Sequence, residues 1–174
     1  EISKIESGNL NLNKQWCDPQ DLLYAIQKRA QDYHGAHVML YLDEAGDEIF
    51  VDPVLFEQVL FNLTDNAVKY AGVDNPVDII IDKENGEMTI QVRDSGPGLD
   101  EENIDKYFDK FYRHNMKDSV QAGTGLGLAI CKGMLEAQGL AIQAFNRKDG
   151  QSGAVFEIVI PGEYVRHEHD QWWY

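Results

Sequence analysis

Two carboxamides and an ammonium group lie at regular intervals along one stretch of this chain. In LFEQVLFNLTDNAVKYAG, Asn62, Asn66 and Lys69 follow one another at i, i+4 and i+7. A helix would place them in one row, with Tyr70 beside it. Amide oxygens are neutral ligands for a hard cation such as Mg²⁺, and an ammonium group binds phosphate. Taken alone, such a row is more typical of the exposed polar face of an amphipathic helix.

A second stretch, VRDSGPGLD, places a carboxylate and two glycines directly after a predicted strand. Asp94 could accept a hydrogen bond from a donor such as the exocyclic amine of adenine. Gly96 and Gly98 permit turn conformations that side chains would hinder. On its own this pattern is more typical of an ordinary turn.

A third stretch, GTGLGLAI, has glycines at 123, 125 and 127 and then continues into an apolar segment. Backbone N–H groups exposed at the start of a helix suit a polyphosphate. The pattern is neither GxGxxG nor GxxxxGK[ST], because no Lys-Ser/Thr pair follows Gly127.

Local signals predict three helices that would position these groups. Asp18 and Asp52 are each followed by proline, which predicts an N-cap and a first helical residue; the second of these helices would span about 53 to 71. Its apolar stripe would contain Phe56, Leu60, Leu63 and Ala67. A third helix is predicted from Thr124 to Gln138, closed by Gly139.

Alternating apolar residues predict the strands. HVMLYLD and EIFVD indicate two short strands around a turn at residues 44–47, and VDIIIDKENGEMTIQVRD indicates a hairpin with its turn at Asn85 and Gly86. LAIQAFNRKDGQSGAVFEIVIP indicates a last hairpin. Helices combined with mostly antiparallel strands predict an α+β fold, a two-layer α/β sandwich.

Composition limits the possible partners. A chain of 174 residues with 43% apolar residues is about one domain long, and its formal net charge of −15 argues against nucleic acid and anionic membrane surfaces. No run approaches the roughly 20 apolar residues of a membrane span. The two cysteines, Cys17 and Cys131, lack metal-type spacing and are expected to be reduced thiols.

Taken together and in order, the motifs resemble those of the catalytic ATP-binding domain of sensor histidine kinases. NLTDNAVKY resembles the N box, DSGPGL the G1 box, YFDKFYR the F box and GTGLGLAI the G2 box. The resemblance covers about residues 48 to 160 and implies a Bergerat-type fold, with three helices over a mixed, mostly antiparallel sheet and a mobile ATP lid at roughly 109 to 124. FDKFYR, GLGLAICKGM and IQAFNR are also similar to the potassium-responsive Kdp-type branch.

The resemblance implies a set of site residues and a division of the chain. The residues implied in ATP binding are Asn62, Asn66, Lys69, Tyr70, Asp94, Gly96, Gly98, Leu99, Phe108, Phe111, Arg113, Gly123, Thr124, Gly125, Leu126, Gly127 and Leu128. Asn66 would bind Mg²⁺ through the nucleotide, with Asn62, Lys69 and Arg113 completing the catalytic set. Residues 1–17 would be a remnant of the dimerisation helices and linker, 18–162 the catalytic domain and 163–174 a tail.

The same resemblance implies the reaction and the partners. ATP and Mg²⁺ would be the cofactors, and the acceptor would be a histidine on the dimerisation domain of the same protein, outside this chain. Relay to a response regulator would follow. The full-length protein would be a homodimer and this fragment a monomer, in the cytoplasm, with membrane contact only through upstream segments of an inner-membrane sensor.

Two alternatives share these motifs. A hydrolysing ATPase or serine kinase of the same superfamily would turn over nucleotide alone, although the hydrolysing relatives carry glutamate where Asn62 stands. An interaction module without nucleotide binding would keep the fold, although Asn66, Asp94 and the G2 glycines argue against it.

Overall fold

The computed structural model describes residues 10–43, 45–112 and 127–167, which form three α-helices and eight strands. The helices are α1 (Pro19–His34), α2 (Pro53–Ala71) and α3 (Gly127–Ala137). The strands are β1 (Gln15–Cys17), β2 (Val38–Tyr41), β3 (Asp47–Val51), β4 (Val77–Glu84), β5 (Glu87–Arg93), β6 (Ala141–Asn146), β7 (Ala154–Ile160) and β8 (Val165–His167). Two 3-10 helices span Glu101–Phe108 and Gly162–Tyr164.

The strands form two sheets. The larger has the order β2-β4-β5-β7-β6, in which β2 and β4 are parallel and all other neighbours are antiparallel. The smaller is antiparallel, with the order β1-β3-β8. The mixed, mostly antiparallel sheet under helices confirms the predicted fold class. β2 and β3, which the sequence places around one turn, pair in different sheets.

The core lies between the helices and one face of the larger sheet. Alternate strand residues point to this face, and Ile79, Ile90 and Ile158 on three adjacent strands are completely buried. The stripe predicted for α2 is buried as well, and it consists of Phe56, Leu60, Leu63 and Ala67. Burial on this side leaves the other α2 stripe available for polar residues.

The local signals acted as predicted at two helix starts and one turn. Asp18 and Asp52 are the N-caps of α1 and α2. Asn85 and Gly86 have φ angles of 53° and 80°, which is the backbone of a tight type I′ hairpin turn. Among the described residues, no helix is long and apolar enough to cross a membrane.

The packed chain extends across both predicted domain boundaries. β1 and β8 pair with opposite edges of β3. The boundaries at residues 18 and 162 stay predictions, with packed structure on both sides of each. Most of the predicted helix remnant and of the predicted tail lies outside the described residues.

Asp52 joins three distant parts of the chain. Its Oδ1 accepts hydrogen bonds from Val54 N and Leu55 N, both at 3.1 Å, and its Oδ2 accepts from Asn13 N at 2.9 Å. Its own N–H donates to Gln138 Oε1 at 2.7 Å. One buried residue therefore caps α2 and ties it to the segment before β1 and to the end of α3.

We expect Asp52→Ala to lower the free energy of unfolding by about 2 to 3 kcal/mol, because it removes a cap and leaves the Asn13 N–H without its partner. Urea unfolding followed by circular dichroism measures this loss. The matched control is Asp18→Ala, because within the described residues that carboxylate accepts one hydrogen bond, from Gln20 N. Its expected loss is about 1 kcal/mol. Equal losses in the two variants would contradict the anchoring role of Asp52.

Candidate functional site

The polar row of α2 lies beside its buried stripe. Asn62 and Asn66 are half-buried, whereas Lys69 and Tyr70 are exposed. The rotation of α2 about its axis is set by the buried stripe, so the row occupies the position that the sequence predicts. These four side chains form one continuous polar strip along the helix.

The two asparagines have different surroundings. Asn62 forms a hydrogen bond with the thiol of Cys131 in α3. Burial raises the pKa of this thiol to about 12, although the hydrogen bond acts in the opposite direction, so the thiol is neutral. Within the described residues, the amide of Asn66 makes no hydrogen bond. Asn66 is therefore available to a ligand, while Asn62 is oriented by α3.

Lys69 is already paired. Its Nζ lies 2.7 Å from Asp65 Oδ2. His34 Nε2, at the end of α1, donates to the other oxygen of the same carboxylate at 2.7 Å. The sequence indicated Lys69 as a phosphate ligand but did not indicate this pairing, for which the i, i+4 spacing of Asp65 and Lys69 is the available signal.

Asp94 follows β5 and is 3% exposed. Its Oδ1 accepts hydrogen bonds from Gly96 N at 2.9 Å and Ala154 N at 3.1 Å. Burial raises the pKa of this carboxyl, and the opposing effects of the two backbone hydrogen bonds and of the Arg147 charge are smaller. Within the part of the chain that the structure describes, Oδ2 accepts no hydrogen bond, so it can accept one from a ligand.

The glycine turn after Asp94 closes against the end of α2. A Cβ on Gly96 would lie 3.0 Å from the main-chain oxygen of Tyr70. Gly98 has a φ of +87°, and a Cβ there would lie 2.7 Å from Asn146 Oδ1. The Gly96 contact brings the Asp94 turn against the end of α2 at Tyr70, and the Gly98 contact brings it against the end of β6.

The connection between β6 and β7 supports this turn, and sequence reasoning missed it. Asn146 Oδ1 accepts from Leu99 N at 2.6 Å, and Asn146 Nδ2 donates to Leu99 O at 3.0 Å. Arg147 Nη1 donates to the main-chain oxygen of Asp94 at 3.2 Å. The polar Asn-Arg pair at a strand end was the only local signal for this role.

Two further residues of this connection contact the turn. Ser152 Oγ donates to Gly96 O at 2.6 Å. Gly153 has a φ of +144°, and a Cβ there would lie 2.0 Å from the main-chain oxygen of Asp94. Only glycine fits at this point, because the backbones of two segments touch.

The F-box aromatics differ in their packing. The ring of Phe108 meets that of Phe156 edge to face at a centroid distance of 6.0 Å. Phe111 is 70% exposed and has a φ of +64°. Of these two F-box phenylalanines, Phe108 packs against the core and Phe111 does not.

The remaining predicted residues fall into two groups. Leu99 is half-buried, Leu128 is buried and packs in the core, and Gly127 is the exposed first residue of α3. Most of the predicted lid also lies outside the described residues, and so do five of the predicted site residues: Arg113, Gly123, Thr124, Gly125 and Leu126.

Comparison with known proteins matches this chain to one family and to sensor kinases. A family model described as "Histidine kinase-, DNA gyrase B-, and HSP90-like ATPase" matches residues 51–164. The sensor protein KdpD of Escherichia coli (strain K12) is 38% identical over 161 residues, which cover 92% of this chain and 18% of KdpD. The chain therefore spans less than a fifth of that relative.

Solved structures share the fold. Full-length ShkA in complex with AMPPNP has a TM-score of 0.78 at 22% identity, covering 92% of this chain and 33% of ShkA. The histidine kinase ThkA, in complex with the response regulator protein TrrA, has a TM-score of 0.72 at 22% identity, covering 92% of this chain and 46% of ThkA.

We expect Gly153→Ala to lower the free energy of unfolding by about 3 to 5 kcal/mol, because the new methyl group would overlap the backbone at Asp94. Gly150→Ala in the same loop is the control, since its φ is +81° but, its chain neighbours apart, no atom of the described residues lies within 4 Å of the added carbon. That control should lose about 1 kcal/mol from backbone strain alone. Urea unfolding compares the two, and a loss in Gly153→Ala no larger than the control's would refute the close approach.

Proposed function

This chain belongs to the family of histidine kinase-, DNA gyrase B- and HSP90-like ATPases, and on that premise we propose that it binds Mg-ATP for phosphoryl transfer to a histidine. The acceptor histidine belongs to a dimerisation domain outside this chain, and the phosphoryl group passes on to a response regulator. The observation that carries the proposal is the contact of Gly96 with the Tyr70 carbonyl, where a Cβ would lie 3.0 Å away. This approach supports a site in which the buried Asp94 carboxylate and the polar row of α2 serve one ligand.

The carboxylate of Asp94 accounts for adenine selection. One oxygen is fixed by two backbone N–H groups, and the other accepts no hydrogen bond within the described residues. The amino group of adenine is a donor that fits this second oxygen, whereas guanine presents a carbonyl oxygen at the corresponding edge. A buried acceptor facing another acceptor would be unfavourable.

The row on α2 fits the phosphates and their cation. The free amide oxygen of Asn66 suits Mg²⁺, and Asn62 and Lys69 lie on the same strip. Bound Mg²⁺ supplies neutralisation of the triphosphate charge, which is a large part of phosphoryl-transfer catalysis. We assign the rest of the phosphate contacts to Arg113 and to the glycines at 123, 125 and 127.

The chemistry of Asn62 favours transfer over hydrolysis. A neutral amide cannot act as a general base toward water. We therefore assign slow hydrolysis to the isolated chain and useful turnover to the assembly with the acceptor histidine, where positioning of the two groups dominates.

The relatives support the wider assignment. ThkA, with which this chain shares its fold, is in complex with a response regulator protein. The 38% identity to KdpD supports membership of the Kdp-type branch. On this proposal the chain is the cytoplasmic catalytic part of an inner-membrane sensor that is a homodimer at full length.

Asn66→Ala tests the cation role. Calorimetric titration with AMPPNP should show tighter binding with Mg²⁺ than without it for the wild type. The variant should bind equally in both conditions, because the amide ligand to the metal is gone. The exposed Asn11 gives the matched control Asn11→Ala, which should behave as wild type. A folded wild-type chain that does not bind AMPPNP would refute the proposed function.

Asp94→Asn tests the adenine role and should separate affinity from stability. The amide keeps the oxygen that accepts from Gly96 and Ala154 but replaces the second oxygen with a donor. ATP-analogue affinity should therefore fall by about 1 to 3 kcal/mol, measured by the same titration.

The unfolding of Asp94→Asn should show the opposite effect. Because the folded pKa of Asp94 is raised, wild-type stability falls as pH rises from the unfolded pKa of about 3.9 through the folded pKa. The variant lacks this loss. Its free energy of unfolding in urea should therefore gain on that of the wild type as pH rises, with no gain at low pH and the full gain above the folded pKa. A variant less stable than wild type at pH 7 would contradict this account of the buried charge.

A further inference from the structure

We propose that Asp65 is a positioning residue for the nucleotide site: its carboxylate holds the Lys69 ammonium group away from the phosphates. His34 weakens this hold, because it shares the same carboxylate. The inference rests on the proposed function, because it takes Lys69 as a phosphate ligand. It concerns three side chains: Asp65 and Lys69 lie in the N-box stretch on α2, and His34 lies at the end of α1.

The carboxylate of Asp65 is shared between two helices. Oδ2 lies 2.7 Å from Lys69 Nζ, and Oδ1 accepts from His34 Nε2 at 2.7 Å. Both distances are in the range of charge-assisted hydrogen bonds. The His34 and Asp65 side chains are 17% and 20% exposed, so solvent screens this interaction less than one on an open surface.

Lys69 can reach either side of the helix strip. At about 100° per residue, Lys69 stands about 40° from Asp65 and about 60° from Asn66 around the helix axis. Its flexible four-carbon stem can move the ammonium group from the carboxylate toward the amide row. Binding a phosphate would therefore compete with the pair to Asp65.

His34 is held in place by its own neighbours. Its ring contacts the edge of Tyr33 at a centroid distance of 4.8 Å and lies nearly parallel to Phe61 at 6.4 Å. Arg29 lies over the same Phe61 ring, 3.7 Å from its centroid. The imidazole is thus fixed by α1 and α2 and cannot follow Lys69 when the ammonium group moves.

The arrangement predicts effects of opposite sign. Removing the charge of Asp65 frees Lys69 and removes an anion close to the phosphate position, so phosphate binding strengthens. Removing the N–H of His34 leaves Lys69 as the remaining partner of the carboxylate among the described residues, so the hold strengthens and phosphate binding weakens. A purely structural role would give losses of stability in both variants with no such reversal in affinity.

Calorimetric titration of this chain with Mg-AMPPNP tests the proposal. Asp65→Asn should bind about 3- to 5-fold more tightly and His34→Phe, which keeps the ring packing, about 2- to 3-fold more weakly. In a Lys69→Met background the His34→Phe change should disappear, and the Asp65→Asn gain should fall to the part that comes from removing a nearby anion. The matched control is Glu136→Gln, which removes the acidic partner of Lys132 from another i, i+4 pair on α3, and it should bind as wild type.

Adenosine, which lacks phosphates, should bind equally to wild type, Asp65→Asn and His34→Phe. Urea unfolding checks that each variant is folded. If Asp65→Asn is not folded, Asp65→Ser takes its place. Weaker Mg-AMPPNP binding by the Asp65 variant, or changes of undiminished size without Lys69, would overturn this inference alone. Absence of AMPPNP binding by the wild type would overturn the proposed function and this inference with it.

Discussion

The rotation of α2 about its own axis is the constraint on which the site depends. Phe56, Leu60 and Leu63 are completely buried on the sheet side, and each contributes about 1.5 to 3 kcal/mol when it leaves water. Turning the helix by one residue, about 100°, would expose this stripe and bury the amides of Asn62 and Asn66. The packing of the core therefore determines the direction of the polar row, and no further interaction is needed to orient it.

The burial of Asp94 is the second constraint, and it acts against stability. A carboxylate at 3% exposure loses hydration, and the N–H groups of Gly96 and Ala154 replace only part of it. Those donors come from a turn and from the start of β7, while Arg147 holds the adjacent main-chain oxygen. Much of the desolvation of the carboxylate thus occurs during folding, so a ligand meets an acceptor that is already oriented.

What the sequence could predict depended on the distance along the chain over which each interaction acts. The cap at Asp52, the turn at Asn85 and the amphipathic period of α2 are local, and all three were visible. The pairing of β2 with β4 and the contact of Asn146 with Leu99 join segments that nothing local connects, so they required the folded chain. Likewise, the sequence motif assigns both Phe108 and Phe111 to the F box, but only the folded structure shows that Phe108 packs against the core and Phe111 is exposed.

On the proposed function, charge explains why the phosphate end of the site differs from its base end. The chain has a formal net charge of −15, so a free triphosphate approaches against a repulsive field. Two cations beside the site are already paired: Lys69 with Asp65 and Arg147 with Asp149, both pairs within 2.7 Å. A base can be recognised by a fixed acceptor, but phosphates must either draw Lys69 from its partner or arrive with part of their charge neutralised. A nucleotide that carries its own metal ion meets this requirement at the least electrostatic cost, which is why an amide without a charge, Asn66, suits the centre of the row.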